Sequence, residues 1–246
     1  MEVHHHTHHP KRWKEYFWEF FMLFMAVFCG FLAEYQWEHK IERDREKQFI
    51  KSYIDDLVMD TIAINANLQF RDLKEAQMDS LIYLLREKKI RGYENDLYYL
   101  GRKLPRTRNI RLSDKTISQL KYSGSFRLIR NQAVADAILN YQKLVDLIML
   151  SQADDQIERR SVDPILAKMF NSFIFDDMLN EQNEEINKPV NFPPLRSYDE
   201  SLQQDLAYYI NQIKGSTINL KVRLKLLKEN AKEHMVFLKK EYDLSD

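Results

Sequence analysis

Between Tyr16 and Tyr35 the chain is an aromatic and aliphatic run, interrupted by Glu19 and closed by Glu34, and nothing downstream matches it in length or hydrophobicity. Twenty residues of α-helix extend about 30 Å, the hydrocarbon thickness of a bilayer, so the pattern predicts a transmembrane helix over 16–36. The charge-free centre, from Phe20 to Ala33, is fourteen residues long, a length shared with buried helices and signal-peptide cores. The flanks separate these readings. Trp13, Tyr16, Phe17 and Trp18 stand at one end and Tyr35 and Trp37 at the other, as paired aromatic belts do where amphipathic rings meet headgroups. Phe31-Leu32-Ala33-Glu34-Tyr35 makes a poor cleavage site, so an uncleaved anchor is expected.

Residues 41–90 contain neither Pro nor Gly, and charged residues alternate with aliphatic ones throughout. The membrane helix is therefore expected to continue into a long helix over about 41–91. A 3-4 alternation runs through Ile50, Ile54, Leu57, Thr61, Ile64, Leu68, Arg71, Glu75, Met78, Ile82 and Leu85, a heptad register broken at Thr61, Arg71 and Glu75. Val58, Ile62 and Leu81 widen the apolar stripe, which favours packing in a bundle over a free coiled coil.

Turn signals divide the rest. Arg91-Gly92 and Leu104-Pro105 mark two interruptions in a loop-rich stretch, 92–112, with a short helical segment between them over 93–103. Ser113 is placed to cap a helix over 114–122 that stops at Ser123-Gly124, and Asn131 to cap one over 131–162. Asp163-Pro164 reads as a cap followed by Pro at the first helical position of a helix over 164–180. A loop rich in Pro precedes a last helix over 199–242, with Gly215 as a possible break. Alternation of strand type is not sustained, so the expected fold is all-α: a transmembrane helix running into a long helix, then an antiparallel bundle of four or five principal helices. The organisation is a tail (1–15), the span (16–36) and an extramembrane domain (37–246).

Composition adds limits rather than chemistry. Thirty-seven basic residues balance thirty-seven acidic ones, which removes any global case for nucleic-acid binding. The single cysteine, Cys29, lies in the span, so no intrachain disulfide is possible. The tail carries Lys11, Arg12 and Lys14, against Lys40, Arg43, Arg45, Lys47 and Lys51 beyond the span. Long domains translocate largely regardless of charge, so the basic tail inside and the body outside is the preferred orientation; with the resemblance below, that means a cytoplasmic N-terminus and a periplasmic body.

Several segments together carry a resemblance. Lys-Arg-Trp-Lys-Glu-Tyr-Phe-Trp-Glu-Phe (11–20), Ala-Val-Phe-Cys-Gly-Phe-Leu-Ala-Glu (26–34), Arg45-Glu46-Lys47, Gln-Leu-Lys-Tyr-Ser-Gly-Ser-Phe-Arg-Leu-Ile (119–129) and Lys239-Lys240-Glu241-Tyr242 resemble a family of Gram-negative bacterial single-span proteins with no assigned activity. The resemblance covers nearly the whole chain. It implies an inner-membrane protein with a helical body and supplies no catalytic residues, cofactor or metal.

Candidate sites are few. Glu19 is a carboxylate inside the apolar run, and such residues usually face protein or water. It is read as reaching the interface or pairing helices, or alternatively as a conducting group in an oligomer. Ala26, Gly30 and Ala33 form a small-residue strip that permits close helix contact. His4, His5, His6, His8 and His9 are weak metal candidates, set against an unstructured tail or a pH-dependent headgroup contact. His39 and His234 lack metalloprotease spacing and are expected to be exposed. Arg102, Lys103, Arg106, Arg108 and Arg111 form a basic stretch without an acid, either a solvated loop or a grip for a phosphate, a lipid headgroup or an acidic partner. Phosphate-loop, GxSxG, paired-zinc and dinucleotide motifs do not occur. The expected function is thus a non-catalytic structural or interaction module of the envelope, partnered by the bilayer and by itself or another envelope protein. The alternative is an oligomeric transport or channel accessory using Glu19.

Overall fold

The computed structural model describes residues 12–179 and 185–244. The chain forms two compact units, residues 1–51 and 52–246, and one helix, α1 (Trp13–Arg86), contributes to both. Among the described residues the architecture is all-α, apart from an isolated antiparallel bridge between Leu179 and Ile186.

In the first unit, α1 starts where the Arg12 N–H donates to Glu15 Oε2 at 3.3 Å. Rings one turn apart stack along it: Phe17 on Phe21, Phe20 on Phe24, Phe24 on Phe28, and Phe31 on Tyr35. None of the apolar stretch is buried by protein, and the helix is long and apolar enough to cross a bilayer.

In the second unit, α1 meets α4 (Gln132–Ser161) and α7 (Glu200–Glu241). Around them lie α2 (Glu94–Lys103), α3 (Lys115–Tyr122), a 3₁₀ turn (Ser125–Leu128), α5 (Asp163–Met169) and α6 (Ser172–Asp177). Helix directions follow from the contacts. Asp60 and Arg71 reach Tyr141 and Asp155 in rising order on both helices, so α1 and α4 run the same way. Asp72, Asp79 and Lys88 meet Lys221, Lys214 and Glu200 in falling order, so α7 runs against α1. Asn131 at the start of α4 bonds Glu241 at the end of α7, so α7 runs against α4 too. The expected antiparallel neighbours are therefore α7 with each of the others.

The seven-residue period of α1 is real, but one of its columns is displaced. Leu57, Ile64, Arg71, Met78 and Leu85 are buried at strict heptad spacing. The companion column is Tyr53, Asp60, Asn67, Lys74 and Leu81; of the expected positions only Ile54 is also buried, while 61, 68, 75 and 82 are half-buried. Leu81 is buried as expected of the widened stripe, whereas Val58 and Ile62 are exposed. Helix α7 repeats the pattern with Leu206, Ile213, Leu220 and Leu227 in one column and Ile210, Thr217, Leu224, Ala231 and Leu238 in the other. Each fully buried Leu or Ile in these columns contributes about 1.5–3 kcal/mol. Gly215 does not break α7, because its neighbours' i→i−4 bonds and the flanking apolar columns continue through it.

Other boundaries move for local reasons. Helix α1 ends at Arg86 rather than near 91: Lys88 takes a left-handed φ of 52°, with Lys89 N–H bonded to Leu84 O and Lys88 N–H to Leu85 O. This is a Schellman ending without glycine, which no sequence signal marks. The segment expected as one helix over 164–180 is split, since Phe170 is extended and the Asn171 side chain caps α6 through the Phe173 N–H. Asn131 caps α4 as expected, accepting from the Ala133 N–H at 2.9 Å.

Candidate functional site

At one level of the bundle the apolar columns give way to polar side chains on all three long helices: Asn67, Arg71 and Lys74 on α1, Asp155 and Arg159 on α4, and Thr217 on α7. All are buried. Asp155 Oδ2 accepts from Arg159 Nε at 2.9 Å and lies 3.5 Å from Arg71 Nη1. Asp155 Oδ1 accepts from the hydroxyls of Ser216 and Thr217. The remaining Arg159 nitrogens donate to Leu104 O at 3.1 Å and Thr217 Oγ1 at 2.7 Å.

Charge in this layer is unbalanced, with three cations around one carboxylate. Burial lowers the pKa of Arg71 and pulls that of Lys74 down to about 7, with Arg159 and Lys103 adding repulsion at Lys74. Arg71 Nη1 and Nη2 are buried and make no hydrogen bond.

The layer fixes the end of α2 and the non-helical segment that leads from it to α3. Buried backbone groups outside helices must find partners, and here side chains supply them. Asn67 Nδ2 donates to Arg108 O at 2.9 Å, Gln152 Oε1 accepts from the Ile110 N–H at 2.6 Å, and Lys74 Nζ donates to Lys103 O. One step along, α1 caps α3. Asp56 accepts from the Ser113 hydroxyl at 2.6 Å and the Thr116 N–H at 2.9 Å, while Asp60 accepts from the Ser113 N–H and the Tyr141 hydroxyl. Ser113 is therefore not the N-cap; Asp114 holds that position without a side-chain bond. Burial raises the Asp60 pKa despite these two bonds, and it raises those of Tyr53 and Tyr141.

Outside the held segment lies a cleft of about 460 Å³ lined by Arg108, Asn109, Arg111, Gln156, Arg159 and Arg160, with Pro105 and Thr107. Among the described residues, no carboxylate lines it. A second hollow of about 500 Å³, between Phe70, Lys74, Tyr99 and Lys103, has Glu185 on its wall.

Residues expected from sequence divide between the two units. Trp13, Tyr16, Trp18, Tyr35 and Trp37 are exposed on α1, as are Glu19, Ala26, Gly30 and Ala33. Seven-residue steps of an α-helix return to nearly the same side, so Glu19, Ala26 and Ala33 share a face with Gly30 one turn from Ala26. His4, His5, His6, His8 and His9 lie outside the described residues. His39 is half-buried, edge-on to Tyr35 and 3.6 Å from Glu42. His234 is also not exposed: it packs against Tyr141, its Nδ1 is buried without a hydrogen bond, and burial lowers its pKa. The basic stretch divides, since Arg108 and Arg111 face the cleft while Lys103 and Arg106 line the second hollow.

The layer itself was missed. Arg71 broke the heptad and so was visible as an anomaly, but Asp155 and Arg159, one turn apart on α4, carry no signal beyond ordinary helix charge pairing.

Compared with family models, curated proteins and solved structures, the chain matches none.

Proposed function

We propose that this chain is a membrane-anchored, non-catalytic structural or interaction module of the bacterial envelope. Residues 16–36 hold it in the inner membrane, the tail is cytoplasmic and the helical body periplasmic. One observation carries the proposal: the unburied apolar part of α1 belongs to the same helix that supplies two packed columns to the body. An anchor of this kind tethers the body to the bilayer. Aliphatic side chains left exposed at one-turn intervals on α7, namely Ile218, Val222 and Leu226, support a partner or a second copy as occupant of the body's surface.

Crosslinking at native expression, followed by identification of the products, tests the module. A recurrent envelope protein or a discrete homo-oligomer is expected, and an uncrosslinked monomer would count against it. Extraction at alkaline pH tests the anchor, which release into the soluble fraction would exclude. A cysteine placed at Ser201 should react with a membrane-impermeant maleimide once the outer membrane is opened. Labelling only after inner-membrane lysis would reverse the orientation.

A second reading rests on the shared face of Glu19, Ala26, Gly30 and Ala33. Association through that face would gather carboxylates from several copies, as a transport or channel accessory requires. Glu19→Gln separates the two: loss of ion flux with intact assembly favours the accessory, and an unchanged phenotype removes it.

A further inference from the structure

We infer that the cleft between Arg108, Arg111, Arg159 and Arg160 binds a phosphate-class oxyanion, either free in solution or as the headgroup of an anionic lipid. Four arginines line one hollow with no carboxylate beside them among the described residues. Arg108, Arg111 and Arg160 are exposed, and none has a hydrogen bond or ion pair through its side chain among the described residues. Arg159 forms the floor with every nitrogen engaged inside the protein, so it contributes fixed charge rather than a free donor.

The ground behind the cleft is also cationic. Arg71, Lys74 and Arg159 face the single carboxylate of Asp155, and two nitrogens of Arg71 are left without a hydrogen bond. Asp155 offsets one of these cations, and its oxygens are held inside the protein by Arg159, Ser216 and Thr217, with Thr107 Oγ1 at 3.5 Å closing the side nearest the loop. Excess buried positive charge is costly to a folded chain, and an anion bound nearby offsets part of that cost.

The donors are held in place before any ligand arrives. Arg108 O is bonded to Asn67, the Ile110 N–H to Gln152, and Leu104 O to Arg159, so the backbone carrying Arg108 and Arg111 is fixed at three points. Arg160 projects from α4, a rigid element. The amides of Asn109 and Gln156 add neutral donors at the rim. Guanidinium forks match phosphate oxygens two at a time. Three free forks exceed what one carboxylate accepts and suit a tetrahedral group.

The test uses the full chain in phosphatidylcholine nanodiscs, with phenylglyoxal modification of each arginine followed by mass spectrometry. Saturating inorganic pyrophosphate should slow modification of Arg108, Arg111 and Arg160 by about tenfold, while exposed Arg127 is unaffected. Protection in discs containing phosphatidylglycerol, with none from pyrophosphate, would keep the site and assign the anion to lipid. Equal protection by sodium chloride at matched ionic strength, equal protection of Arg127, or no protection by either anion would overturn the proposal. In Arg111→Gln/Arg160→Gln, half-protection of Arg108 should require about tenfold more of the protecting anion; an unchanged midpoint would overturn it. Both side chains are exposed, and an unchanged melting temperature verifies the fold. If the fold is disturbed, the protection pattern of the unsubstituted chain decides alone.

Discussion

Arg71 on α1 and Arg159 on α4 converge on one oxygen, Asp155 Oδ2, at 3.5 and 2.9 Å in the interior of the bundle. A carboxylate shared in this way holds two helices that run in the same direction, and among the described residues it is the one negative charge amid three buried cations. Asp155→Asn would leave both guanidiniums uncompensated at a cost of about 3–5 kcal/mol. Arg71→Met removes one excess cation and keeps most of the volume, so it should change stability by only about 1 kcal/mol in either direction. The double substitution should recover part of the loss. Thermal melts of the four proteins in one detergent give the coupling; equal losses for the two single variants would show that charge balance does not govern the layer.

Lys74 gives the same layer a pH dependence. Its folded pKa is about 7 against an ordinary 10.5, mainly because burial penalises the ammonium. Below pH 7 both states hold the proton and the buried charge carries its full cost. Between pH 7 and 10.5 the unfolded chain keeps a proton that the folded chain has released, so stability rises with pH across that window. His234, also lowered by burial, completes its own rise below its ordinary 6.5. Tyr53 and Tyr141, both raised, begin to oppose folding only near pH 10. From pH 7 to 9 the gain should be about 1–2 kcal/mol, roughly 3–6 °C in melting temperature. Lys74→Met should flatten the profile, and a wild-type profile flat over this range would contradict the assigned burial.

The sequence displays half of this arrangement. The column containing Leu57, Ile64, Met78 and Leu85 is apolar except at Arg71, so its period is visible. Its companion holds Asp60, Asn67 and Lys74, and hydropathy assigns such residues to solvent. Thr61, Leu68 and Ile82, each one position later, imitate the missing column closely enough to displace it. What makes Asp60, Asn67 and Lys74 internal is the backbone from the end of α2 to α3, whose donors and acceptors they satisfy. That demand arises from contacts 29 to 53 residues away along the chain, beyond any local pattern. The arginine-rich loop was legible as a charge run. Its closure against Arg160 and Gln156 of α4 was not, because it depends on how α4 docks.

Asp56 acts as a cap supplied from another helix. Its carboxylate takes the Ser113 hydroxyl and the Thr116 N–H, so Asp56→Ala should destabilise the body by about 1–2 kcal/mol. The loss should be local. Amide hydrogen exchange should accelerate across α3 by about tenfold, while amides of α7 around Leu220 keep their protection. Uniform acceleration through the bundle would instead mark Asp56 as part of the global core.

Two glycines in helices should respond to alanine with opposite signs. At Gly101 in α2, a Cβ would lie 2.8 Å from Cζ of Phe170. That ring is fully buried and stacked on Phe175, with Tyr98 edge-on at 5.2 Å, so it has little room to withdraw. Overpacking of this kind costs about 1–3 kcal/mol, so Gly101→Ala should lower the melting temperature by roughly 3–9 °C. At Gly215 in α7, nothing lies within 4 Å of the added atom, and alanine is favoured over glycine in a helix interior by about 1 kcal/mol. Gly215→Ala should raise the melting temperature by roughly 2–4 °C. A fall at Gly215 would mean that α7 bends there in the working protein, as an isolated glycine in a helical pattern first suggests.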